Sequence, residues 1–115
     1  RRVWALAILE SGRLASASGD MTIRIWEIAT GACVATLEGH RGSVRSLALL
    51  NGTRLASGSS DQTVKVWEVA TGECLATLRL ADTVLAIAPI PTSTAIAVAS
   101  GNSISIHNLE SLDSR

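Results

Sequence analysis

The chain repeats itself every 41 residues. Asp20 returns as Asp61, Trp26 as Trp67, Thr30 and Gly31 as Thr71 and Gly72, and Cys33 as Cys74. Residues 13–37 laid over 54–78 agree at 16 of 25 positions, and most of the rest are exchanges of like for like, such as Ile23 for Val64, Arg24 for Lys65 and Ile25 for Val66. Such a chain is built of small units, each burying its apolar faces against copies of itself.

Within a unit the pattern reads as four short strands separated by turn signals. Residues 44–50 form an apolar run closed by Asn51 and Gly52, a strong hairpin signal. Residues 54–59 are small and run into a turn at Ser60, Asp61 and Gln62. Residues 63–69 alternate Val64 and Val66 against Thr63, Lys65 and Trp67, and the turn 70–73 leads to a fourth strand, 74–78. The first unit repeats this over residues 3–37, with turns at Ser11-Gly12 and Gly19-Asp20. The third is degenerate: residues 84–88 and 95–99 replace the first two strands, Pro89 and Pro91 bracket a different turn, and residues 103–107 stand where 63–67 stood, with His107 in the place of the Trp. Residues 109–115 are short and polar for a fourth strand.

Four short strands at a period of about 40–45 residues are the signature of a propeller blade. The expected fold is all-β, a partial β-propeller of about three four-stranded antiparallel blades, the third degenerate, at about residues 3–37, 43–78 and 83–110. Ala, Ser and Gly crowd the first two strands of each unit, as strands near a propeller axis require. A ring closes with roughly four to eight blades, and 115 residues hold about 2.8 repeats. The expectation is therefore a fragment of a larger propeller; the alternative is a protomer that completes a ring by association. Open blade faces at both ends are expected to drive self-association.

Ten basic and ten acidic residues cancel, and Phe and Tyr are absent. The chain therefore lacks the basic, aromatic-lined groove of a nucleic-acid binder. No apolar run approaches the ~20 residues of a membrane span. Cys33 and Cys74 occupy equivalent strand positions, too far apart for a disulfide and too few for zinc. They read as small buried residues in a reducing, intracellular, cytoplasmic setting. No cofactor or metal is indicated.

These residues resemble the WD-repeat (WD40) family over about 100 residues, most strongly in the first two units. The resemblance rests on Gly39-His40, on the run Leu55-Ala56-Ser57-Gly58-Ser59-Ser60-Asp61, and on Val64-Lys65-Val66-Trp67. The family's closing Trp-Asp is here Trp26-Glu27 and Trp67-Glu68. The resemblance implies a structural tetrad of His40, Ser57, Asp61 and Trp67 in the second unit. The first keeps Ser16, Asp20 and Trp26, and the third, with Leu80 near the His position, keeps no tetrad. Ser, His and Asp are also the residues of a hydrolase triad, but that chemistry needs an exposed nucleophile on a sharp elbow beside an oxyanion hole. Ser57 sits inside a strand, and Ser16 recurs where no His accompanies it, so a folding role is expected. His107 is read as a substituted core position, and Arg24 and Lys65 as cations whose stems cover a blade face.

The resemblance further implies a non-catalytic scaffold for protein–protein interaction that binds peptides or domains through rim loops. The rim residues would be Arg2, Gly19, Met21, Arg41, Ser43, Arg45, Ser60, Gln62 and Thr83. Arg41 and Arg45 flanking Ser43 would suit acidic or phosphorylated segments, and the remaining blades of a parent propeller are further expected partners. The alternative is a sensor, autoinhibitory or substrate-recruiting module of a larger signalling or ubiquitin-ligase protein. An enzyme with its site at the axis would need convergent polar residues on the first strands, which carry almost none.

Overall fold

The computed structural model describes residues 2–10, 12–51, 53–90 and 95–109. Ser11 and Gly52 of two expected turns, Pro91 of a third, and residues 110–115 lie outside the described residues. All the regular structure among the described residues is β, in three separate antiparallel sheets.

The first sheet runs in chain order through β1 (Val3–Ile8), β2 (Arg13–Ser18), β3 (Ile23–Glu27) and β4 (Cys33–Leu37). The second repeats it with β5 (Val44–Asn51), β6 (Arg54–Ser59), β7 (Thr63–Glu68) and β8 (Glu73–Arg79). The third contains β9 (Val84–Pro89), β10 (Ala95–Ser100) and β11 (Ser103–Asn108). The register repeats with the sequence: Leu14 opposes Trp26 and Ser16 opposes Arg24 in the first sheet, as Leu55 opposes Trp67 and Ser57 opposes Lys65 in the second. Arg13 and Glu27 form a cross-strand ion pair at 3.7 Å, and Arg54 and Glu68 repeat it at 3.7 Å. The Glu after Trp26 and the Glu after Trp67 thus each have a partner on the neighbouring strand.

Alternation along each strand gives every sheet two different faces. One carries Ile or Val: Ile23 and Ile25 in the first sheet, Val64 and Val66 in the second. The other carries Leu and Trp: Leu47, Leu49, Leu55 and Trp67 in the second sheet. The first joint sets Ile against Leu and Trp, and the second packs Val and Ile on one another. Ile23 and Ile25 meet Leu55 and Trp67 at the first joint, while Val64 and Val66 meet Ile96 and Val98 at the second. Two faces stay open, with Leu6 and Ile8 at 62% and 67% exposure on the first sheet and Ile104 and Ile106 at 78% and 61% on the third.

Both positive-φ residues of the β2–β3 and β6–β7 turns are non-glycine: Met21 at 76° and Gln62 at 72°. Left-handed backbone is unfavourable there, and the two turns share a tether that holds it. Thr22 N donates to Asp20 Oδ1 at 3.0 Å, and Thr63 N donates to Asp61 Oδ1 at 3.0 Å.

The cysteines require a correction. Cys33 and Cys74 are both exposed free thiols, not buried. Cys33 begins β4 and Cys74 is the second residue of β8, the edge strands of their sheets. Each thiol instead contacts a carbonyl of its own strand, Ala35 O and Ala76 O, at 3.5 Å.

Candidate functional site

In the second sheet four side chains form one chain of hydrogen bonds. His40, on the segment linking the first two sheets, places Nδ1 2.9 Å from Asp61 Oδ2 and Nε2 2.7 Å from Ser57 Oγ. Trp67 Nε1 donates to the same Ser57 Oγ at 2.8 Å. With Asp61 ionised, the network assigns the ring proton to Nδ1, so Ser57 donates its hydroxyl hydrogen to Nε2 and accepts the indole N–H. Asp61 also accepts from Arg41 N at 2.8 Å, from Thr63 N at 3.0 Å and from Thr63 Oγ1 at 2.6 Å. Burial opposes its charge, but these donors, led by Thr63, prevail and hold its pKa down at about 2. Burial lowers the His40 pKa, against the pull of Asp61, and keeps the ring neutral.

This geometry reproduces the distances of a hydrolytic triad without its chemistry. Ser57 is fully buried and its oxygen is occupied by the Trp67 indole, so no substrate carbonyl reaches it. What the arrangement does is pair the buried polar atoms of His40, Ser57 and Trp67 with one another and with Asp61.

The first sheet holds part of the same set. Trp26 Nε1 donates to Ser16 Oγ at 2.8 Å, and Asp20 accepts from Thr22 and pairs with Arg24 at 3.4 Å, yet no imidazole joins them. In the third sheet His107 is half-buried and its Nε2 lies 2.7 Å from Ser105 Oγ. Among the described residues no group of three His, Cys, Asp or Glu could hold a metal ion.

The sequence-derived rim residues fall together at one end of each sheet. Gly19 N donates to Arg2 O at 2.8 Å, Ser60 N to Ser43 O at 2.9 Å and Gly101 N to Thr83 O at 3.3 Å. One bond, three times repeated, ties the segment before each first strand to the turn between the second and third. Gly42 backs onto Ser60 so closely that a Cβ there would collide with its hydroxyl. Arg2, Met21, Arg41 and Gln62 project as exposed side chains, while Gly19, Ser43, Ser60 and Thr83 are half-buried.

Arg45 behaves differently from Arg41. Its guanidinium lies 4.5 Å above the ring of Trp4, which Arg2 approaches at 5.2 Å, and its Nε is buried without a hydrogen-bond partner. Trp4 and Arg45 are 41 residues apart, at equivalent places on the first strands of adjacent sheets, so propeller packing brings them together. Arg45 is thereby a cation–π clasp across the first joint, and the expected Arg41/Arg45 clamp does not form. Arg41 instead lines a cleft of about 280 Å³ with Asp61, Thr63, Lys65, Thr77 and Arg79. The sequence reading missed Arg79; the signal available was the exchange of Glu38 for Arg79 across the repeat.

The WD40 family (WD domain, G-beta repeat) matches residues 1–27 and 31–68. The chain is 44% identical over 43 residues to cell division control protein 4 of Saccharomyces cerevisiae, covering 37% of this chain and 6% of that protein. It is 62% identical over 32 residues to nuclear distribution protein PAC1 of Coccidioides posadasii, covering 28% and 7%. It is 54% identical over 37 residues to the Lissencephaly-1 homolog of Dictyostelium discoideum, covering 32% and 9%. The chain thus spans under a tenth of the length of these curated relatives. In the crystal structure of the mitotic checkpoint complex one chain superposes with a TM-score of 0.85 at 26% identity, over 91% of this chain and 35% of that one.

Proposed function

The chain belongs to the WD40 family, whose propellers are generally non-catalytic interaction modules, and from that premise we propose that it is a scaffold segment that docks proteins on its rim. The observation carrying this reading is the thrice-repeated bond that ties each pre-strand segment to the neighbouring turn. It presents Met21, Arg41 and Gln62 on backbone already fixed, so a partner meets a surface with little left to order. The open faces bearing Leu6 and Ile8 on one side and Ile104 and Ile106 on the other would each take a further blade. Such a blade comes from the same polypeptide or from a second copy.

The test replaces Met21 and Gln62 by Asp, a residue that tolerates left-handed backbone. Captured partners should be lost with the melting temperature nearly unchanged. Undiminished capture by this double variant would exclude the rim as the docking surface.

A further inference from the structure

We propose that the cleft on the second sheet, which adjoins the rim at Arg41, is a binding site for a phosphate-class dianion. Three cations converge on it: Arg41 from the linking segment, Lys65 from β7 and Arg79 from β8. None of the three forms an ion pair with a carboxylate among the described residues. The one acid in the lining, Asp61, is consumed from within by His40, Arg41 N, Thr63 N and Thr63 Oγ1. The charge facing the opening is therefore positive, in a chain whose net charge is zero.

Its parts are held in place. Thr63 opposes Arg79 and Lys65 opposes Thr77 across the β7–β8 ladder, so all four side chains share one face of the sheet. Lys65 Nζ donates to Thr77 Oγ1 at 3.1 Å, which aims the ammonium along the sheet, and the Thr77 hydroxyl also contacts Cys74 Sγ at 3.8 Å. The backbone of Arg41 is pinned by its bond to Asp61. Two guanidinium forks and an ammonium suit the several oxygens of a phosphate better than a single carboxylate. A cleft of about 280 Å³ lies just below the usual range for drug-sized ligands, room for one such group and its linkage.

The repeat supplies an internal control. At the positions equivalent to Lys65 and Arg79 the first sheet has Arg24, already paired to Asp20, and the acid Glu38. At those equivalent to Arg41 and Lys65 the third has Ala81 and Ser105. Only the second unit assembles the set.

The experiment titrates the isotope-labelled chain at low salt with inorganic phosphate and, separately, with a Gly-phosphoserine-Gly peptide, following backbone amide shifts. Saturable shifts at Arg41, Lys65, Thr77 and Arg79, absent around Arg24, are expected in the unsubstituted chain. Lys65→Gln with Arg79→Gln should weaken binding at least tenfold, while Arg24→Gln leaves it unchanged. Stronger binding of the peptide marks a protein-borne phosphate, and equal binding a free one; both keep the site. No saturable shift with either probe, or equal weakening in Arg24→Gln, overturns it. Met21 lies on the turn of the first sheet and lines none of this cleft, so Met21→Asp alone tells a failed rim from a failed cleft.

Discussion

The first and second sheets are near-copies in sequence, yet they bury different things. Trp67 is 1% exposed, sealed under the first joint above Ser57. Trp26, with the same bond to Ser16 and the same register against Leu14, is only half-buried. The difference lies in what stands against each face. Ile23 and Ile25 cover Trp67 and Leu55, whereas no described residue does the same for Trp26 and Leu14. In a repeat fold the residue sets its own geometry while its neighbour sets its energy.

Breaking that comparison most sharply means removing the indoles. Trp67→Ala should destabilise by about 3–5 kcal/mol, because it opens a cavity and strands Ser57 and His40. Trp26→Ala in the same chain should cost roughly half as much or less, since water already reaches that ring. Chemical denaturation of the two variants measures the contrast, and equal losses would show that the joint is not what separates them.

The acids come next. Asp61→Ala removes the acceptor of four donors and should cost about 1–3 kcal/mol, with Asp20→Ala costing less. Acid should expose the same asymmetry. His40 titrates below its ordinary 6.5 in the folded chain, so the unfolded chain takes up protons first and stability falls as pH drops below about 6.5. Asp61, held near 2, adds a second loss between about 3.8 and 2. Thermal melts across this range should show both steps, and Asp61→Asn should flatten the lower one.

The smallest expected effect concerns the edge strands. Cys33→Ser and Cys74→Ser should each change stability by under about 0.5 kcal/mol, because both thiols face solvent. A thiol-reactive probe should label both in the native chain at similar rates, and a protected Cys74 would show that the second sheet's edge is covered.

Much of this was legible in the sequence because repetition pins register. Arg13 through Glu27 and Arg54 through Glu68 fold alike, and the set His40, Ser57, Asp61 and Trp67 is spaced so that strand pairing brings it together. What escaped is what depends on the third dimension between units. Cys33 and Cys74 have buried-strand neighbours in sequence, but their strands are edges. Arg45 looks like a free rim cation until the first joint slides Trp4 beneath it. Arg79 has no motif at all, and only the β7–β8 register places it beside Lys65.

The glycine at position 58 carries a consequence for assembly. A side chain there would run into Val84 and Ser46, so the second and third sheets close against bare backbone. The first sheet has Ala17 at the matching place, facing the first joint. Tandem units this similar are prone to trade strands while folding, and each wrong exchange is nearly as well patterned as the right one. A chain that put Ala17 where Gly58 belongs would jam against Val84 before the sheet could seat. One missing methyl group thus fixes how closely the second and third sheets can approach, a spacing that Ala17 does not allow at the same place.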